Sequence, residues 1–258
     1  MGPGSQVLVG GGQPTWRMRL DPILGEPVRR PDNEGWTVER VSSDTGGIDL
    51  FDISDDGRET RLTAAHGDDQ AASWSPDGRL VAFYTARWNA RSHYDLAILD
   101  VATRAVRPLT QGPDSDGSPV WSPDGSRIAF TRLYWDGRAT QSCVIDTDGG
   151  REHCFSVSTG TTSTRAWYDV NHLLLEVDQP PTRFLGRFDL TSGVLDTLVT
   201  LGRTDAATLS ADGRWVLCRC LRGEERGRQH CRWTRSSCPA TSIAPIRLQP
   251  CRRRATRR

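Results

Sequence analysis

The chain of 258 residues is 36% hydrophobic and 25% charged, and its 33 basic residues, all Arg, face 32 acidic ones for a formal net charge of +1. That length buries a real core, the composition excludes a fibrous chain, and the near-neutral balance offers no general field for nucleic acid or an anionic membrane surface. No run approaches the ~18 apolar residues of a membrane-spanning helix and the start has no signal-peptide pattern. The expectation is therefore a cytoplasmic chain as written, or a periplasmic or otherwise exported one if the true N-terminus lies upstream.

Residues 1–15 read as a flexible leader. "WRMRLDPILGEPVRR", ending at Arg30, reads as a third and fourth strand with Asp21 as the strand-ending marker, and a hairpin is expected to be eroded near "PDNEGWTVERV". The next copy of that marker is Asp52, closing "DLFD", only 31 residues on (21 to 52).

"SWSPDGRLVAF" then returns as "VWSPDGSRIAF", with Trp74 and Trp121 47 residues apart (74 to 121). In Ser75-Pro76-Asp77-Gly78, Pro presets φ near −65°, Asp suits the next position and Gly takes the positive φ that closes a hairpin. "AASW" precedes this turn and "RLVAF" follows. "YDLAILD" then alternates apolar and polar residues, and "AVRPLT" completes four short strands in one repeat. Strand-ending aspartates recur at Asp100, Asp146 and Asp189. Worn copies of the turn follow in "RAWYDVNHLLLEV" around Trp167 and "ATLSADGRWVLC" around Leu209, a fifth copy that ends after two strands.

A four-stranded antiparallel unit repeated every 40 to 50 residues cannot bury both faces alone, so copies pack face to face about an axis. The fold class is all-β, a β-propeller of four to five blades over residues 16–219, incomplete as written, with Trp74, Trp121 and Trp167 filling the space between blades. The segment "RETRLTAAHGDDQAASWSPDGRLVAF" and its copy "VRPLTQGPDSDGSPVWSPDGSRIAF" resemble the repeat of the TolB-like propeller family. The resemblance implies either a non-enzymatic interaction propeller or a propeller domain placed before a serine peptidase domain.

From Cys220 the chain turns rich in Arg and Cys and loses its alternation. Residues 220–258 read as a disordered or out-of-frame tail, with a basic arm for an anionic partner and a metal site at Cys218, Cys220, His230, Cys231 and Cys238 as the competing readings. Seven cysteines are present. Cys143 and Cys154 flank a hairpin and could face each other, but nothing else in the sequence argues for an oxidising compartment, so free thiols are expected.

No G-x-S-x-G, P-loop, H-E-x-x-H or strand-borne G-x-G-x-x-G occurs, and the acidic pairs in Asp-Gly turns lack the closing Glu of a calcium loop. The reading is a non-catalytic scaffold with no cofactor and no metal. It binds a protein or peptide at the channel mouth or blade-top loops, through Arg87, Trp88, Arg91, Tyr134, Trp135 and Arg138. The alternative is the propeller of a prolyl oligopeptidase-like serine hydrolase whose catalytic domain is missing.

Overall fold

A computed structural model describes residues 24–88, 93–155, 160–201, 204–209 and 216–220. Every regular element among them is a strand, and the chain divides into two units, Met1–Phe155 and Ser156–Arg258.

The first unit holds three antiparallel sheets, each with its four strands in chain order. These are β1 (Leu24–Arg29), β2 (Gly35–Val41), β3 (Ile48–Ser54) and β4 (Glu59–Arg61); β5 (Asp69–Trp74), β6 (Leu80–Thr85), β7 (Asp95–Asp100) and β8 (Val106–Pro108); β9 (Ser115–Trp121), β10 (Arg127–Leu133), β11 (Gln141–Asp146) and β12 (Glu152–Phe155). The first strands of neighbouring sheets approach one another, β1 against β5 and β5 against β9. Two apolar layers fill the gaps. Leu50 and Leu62 meet Trp74, Val81, Phe83 and Leu99; Ala82, Leu96 and Ile98 meet Trp121, Ile128, Phe130 and Ile145. Each tryptophan also anchors its sheet to the preceding one through the indole N–H. Trp74 Nε1 donates to Thr37 Oγ1 at 2.8 Å and Trp121 Nε1 donates to the Ser73 carbonyl at 2.9 Å, as a buried indole requires.

The Ser-Pro-Asp-Gly turns form as expected. Gly78 and Gly125 both have φ 71°. In each turn the serine Oγ accepts the N–H five residues on (Leu80, 2.9 Å; Arg127, 3.0 Å) and donates to the aspartate Oδ1 at 2.6 Å.

Two readings of the first copy are corrected. Its hairpin is intact: Leu24–Arg29 is the first strand of the sheet, and Arg30-Pro31-Asp32-Asn33 makes the turn. Asn33, at φ 60°, donates to the Arg30 carbonyl at 3.1 Å, as Gly78 does to Ser75 at 2.9 Å. Asn tolerates the left-handed region, so the turn survives without the glycine that would have announced it. The strand-ending position is Ser54, and Asp52 lies two residues before it. Ser54, Asp100, Asp146 and Asp189 each donate a backbone N–H across the turn that follows, to Arg58, Ala105, Arg151 and Val194. The repeat therefore advances by 46, 46 and 43 residues (54 to 100 to 146 to 189). Asp52 instead accepts from Arg30 Nη1 at 2.9 Å.

The expectation of free thiols is also overturned. Cys143 on β11 and Cys154 on β12 lie directly opposite in register and are joined by a disulfide, with Cα atoms 4.0 Å apart. Strand register, which compartment arguments do not see, makes this pair.

The second unit has one four-stranded sheet in chain order, β13 (Thr161–Asp169), β14 (His172–Gln179), β15 (Thr182–Asp189) and β16 (Leu195–Leu201), and a two-stranded sheet, β17 (Thr204–Leu209) and β18 (Val216–Cys220). Trp167 is buried, and Asn171 N–H caps the Asp169 carboxylate at 2.8 Å in the shortened β13–β14 turn. The leader and the tail from residue 221 lie outside the described residues. Among the described residues no helix is long and apolar enough to cross a membrane.

Candidate functional site

At one end of the first unit, first strands begin and second strands finish, and there the repeat concentrates buried charge. Asp69 opens β5 opposite Thr85, and Asp116 stands near the start of β9 opposite Arg132. Both carboxylates are buried.

The Leu-Thr pair that precedes each of them has a physical role. Thr63 Oγ1 accepts the Leu50 N–H at 3.0 Å, and Thr110 Oγ1 accepts the Leu96 N–H at 2.9 Å, which closes the fourth strand onto the third. The Thr63 hydroxyl also lies 3.4 Å from Asp49 Oδ1 in its own sheet. The threonine thus ties the end of a sheet's fourth strand to its third.

Each carboxylate then receives an arginine. Arg87 Nη2 reaches Asp69 Oδ2 at 2.6 Å, with Thr85 Oγ1 donating to Oδ1 at 2.5 Å. Arg132 grips Asp116 with Nε at 2.7 Å and Nη2 at 2.8 Å, and also meets Glu152 at 2.5 Å. In the first sheet Arg61 holds the buried Asp49 at 2.6 Å. Burial pushes the Asp69 and Asp116 carboxyls above the usual range against the pull of these partners. The bidentate contact with Asp116 holds the Arg132 guanidinium firmly charged.

The six candidate contact residues fall into different surroundings. Arg87 is committed to Asp69 and lies over Phe83 and Trp88, 5.4 and 5.6 Å from the ring centroids. Trp88 is 42% exposed and Trp135 61%. Tyr134 is half-buried, donates to Gln141 Oε1 at 2.5 Å and carries the Arg138 guanidinium 3.9 Å above its ring. Arg138 also pairs with Asp136 at 2.7 Å. Arg91 lies outside the described residues. Because Trp88 follows β6 and Trp135 follows β10, equivalent strands of adjacent sheets, the two tryptophans leave the same end. Leu133, 44% exposed at the end of β10, adds to this apolar surface and was missed because it reads as ordinary strand alternation.

Among the described residues no group of three or more His, Cys, Asp or Glu is placed to hold a metal ion. In the Asp146–Gly150 turn, Asp148 Oδ1 accepts the Gly150 N–H at 2.8 Å, which is turn chemistry.

The sheets of the first unit, packed face to face with tryptophans interleaved between them, define an all-β propeller with the fold of the TolB structures, and the described residues hold four complete four-stranded sheets. Solved structures carry the same fold. TolB from Acinetobacter baumannii superposes with a TM-score of 0.64 at 20% identity, over 81% of this chain and 51% of that one. A putative TolB from Agrobacterium tumefaciens gives 0.59 at 17%, over 69% and 66%. The tricorn protease gives 0.61 at 11%, over 80% of this chain and 25% of that one. The chain thus spans about half to two thirds of the TolB structures it matches. No protein-family model matches it, and no curated protein does.

Proposed function

We propose that this chain is a non-catalytic propeller scaffold that binds a protein or peptide through the loops following β6 and β10. One observation carries this reading. At that end the buried carboxylates Asp49, Asp69 and Asp116 are each neutralised by an arginine of their own neighbourhood, while Trp88 and Trp135 stand exposed beside them. Charges engaged in this way hold loops rigid and are poorly suited to proton transfer, whereas exposed aromatics on a stiff frame suit recognition. Peptide display on the purified chain tests it. Selected peptides are expected to lose at least about tenfold in affinity to Trp88→Ala and Trp135→Ala variants. Unchanged binding by both variants refutes the assignment.

The second reading, a propeller that accompanies a prolyl oligopeptidase-like hydrolase, draws on the superposition with the tricorn protease, of which this chain matches a quarter. The coding DNA beyond Arg258, translated in all frames, separates the two. A G-x-S-x-G followed by Asp and His supports the hydrolase, and further propeller repeats support the scaffold.

A further inference from the structure

Arg132 lies across the third sheet from its inner strand to its outer one. Register sets Phe130, Cys143 and Cys154 in one row across β10, β11 and β12, with Arg132, Ile145 and Glu152 on the same face. The guanidinium rests over Phe130, 5.3 Å from the ring centroid. On the inner side it grips Asp116 of β9. On the outer side Nη1 reaches Glu152 Oε1 at 2.5 Å and Nη2 reaches Oε2 at 3.2 Å. Nη1 also lies 3.8 Å from Cys154 Sγ, so one side chain joins the first strand of the sheet to the last, and the disulfide stands beside its outer anchor.

The two anchors differ in strength. Asp116 is buried and held by two parallel hydrogen bonds, a contact that survives by itself. Glu152 is exposed and belongs to β12, a strand of four residues that pairs only with β11. Short outer strands open locally at low cost. What fixes this one is the covalent bond from Cys154 to Cys143, which is fully buried on β11.

We propose that the Cys143–Cys154 disulfide is a redox switch that sets how firmly the end of β10, and the loop bearing Tyr134 and Trp135 that follows it, is held. The proposal rests on the reading of that loop as a recognition element. With the disulfide formed, β12 is pinned, Glu152 stays against Arg132 and the guanidinium is held from both sides. With it reduced, β12 frays, Arg132 keeps Asp116 alone and the strand end loosens.

The reductant is a dithiol. Its thiolate attacks Cys154 Sγ, because Cys154 is only half-buried whereas Cys143 is fully buried. The S–S bond breaks, and Cys143 leaves as a thiolate and takes up a proton. The second thiolate of the dithiol then attacks the mixed disulfide and expels Cys154, which is protonated in turn. Two electrons and two protons pass to the two cysteines, and the dithiol becomes a disulfide. The Arg132 guanidinium, 3.8 Å from Cys154 Sγ, stabilises that sulfur as it leaves with a negative charge.

The test is amide hydrogen exchange on the full chain, oxidised and held in dithiothreitol. Reduction is expected to speed exchange at least about fivefold over β12 and over residues 131–135, and to leave residues 39–43, at the corresponding end of β2, within about twofold. Glu152→Ala removes the link: its oxidised form should already exchange fast over residues 131–135, and reduction should add less than about twofold there while still loosening β12. Equal exchange of residues 131–135 in both redox states, equal acceleration of the β2 and β10 ends, or a full redox effect in Glu152→Ala overturns the proposal. So does alkylation of both cysteines before any reductant is added. Exchange reads the strand end with no peptide present, so its failure overturns the switch alone, whereas unchanged peptide binding by the Trp88→Ala and Trp135→Ala variants overturns the recognition reading.

Discussion

Asn33 holds in the first sheet the backbone position that Gly78 holds in the second, at φ 60° against 71° and with the same hydrogen bond back across the turn. The left-handed conformation costs a side chain energy that glycine escapes. Asn33→Gly is therefore expected to hold or raise stability by up to about 0.5 kcal/mol, and Gly78→Val to lower it by about 1 kcal/mol or more. Urea unfolding of both variants checks the pair; a Gly78→Val chain as stable as the parent would contradict the shared turn.

The threonine ties predict an effect at positions that look like ordinary strand residues. Thr63→Val and Thr110→Val keep shape but strip the acceptor from a buried backbone N–H, that of Leu50 and of Leu96. Each is expected to cost about 1–3 kcal/mol. Surface threonine Thr103→Val, measured alongside, should fall within about 0.5 kcal/mol of the parent.

Arg132 and Arg138 both form ion pairs, yet their removal should differ sharply. Arg132→Met leaves the buried Asp116 carboxylate without its cation and is expected to destabilise by about 3–5 kcal/mol. Arg138→Ala breaks a largely exposed pair with Asp136 and should change stability by no more than about 1 kcal/mol. Thermal melts that rank the two equally would remove the structural role given to the Asp116 clamp.

Acid should weaken the Ser122–Ser126 turn in a defined window. Hydrogen bonds from the Ser122 hydroxyl and then the Ser126 N–H lower the Asp124 carboxyl from 3.8 to about 2. A folded value below the unfolded one means the contribution is fully present above pH 3.8 and is lost as pH falls through about 2. The group is largely exposed, so the effect is small. Asp124→Asn should flatten the pH dependence of stability between pH 4 and 2; an unchanged slope would show that the turn does not hold the carboxylate.

The disulfide between Cys143 and Cys154 closes a short loop, with a sequence separation of 11. Reduction, or the double change Cys143→Ser with Cys154→Ser, is expected to lower stability by about 2–3 kcal/mol through the freedom it returns to the unfolded chain. Parallel urea curves with and without dithiothreitol measure this, and mass spectrometry after alkylation reports whether the bond forms at all.

The expected sheets, the two Ser-Pro-Asp-Gly turns and the burial of Trp74, Trp121 and Trp167 were legible in the sequence because each rests on contiguous residues or on a period of 2 within a strand. The first hairpin escaped notice because Asn33 replaces the glycine and Arg29 stands where later copies carry tryptophan. The candidate site was only half legible. Trp88 and Trp135 are exposed as loop aromatics should be, whereas Arg87, chosen as a surface contact, is bound to Asp69, a residue 18 positions earlier on the neighbouring strand.

By itself the sequence determined where the chain turns and how often, since the φ preferences of Pro, Asp, Asn and Gly act within four residues and need no other part of the molecule. Only the tertiary structure decided which strand position is equivalent to which, that Ser54 and not Asp52 keeps step with Asp100, that Cys143 faces Cys154, and which arginine neutralises which buried carboxylate. These are pairings across strands and between sheets. Register and packing set them, and one residue of slip reverses every face, so no local pattern can specify them.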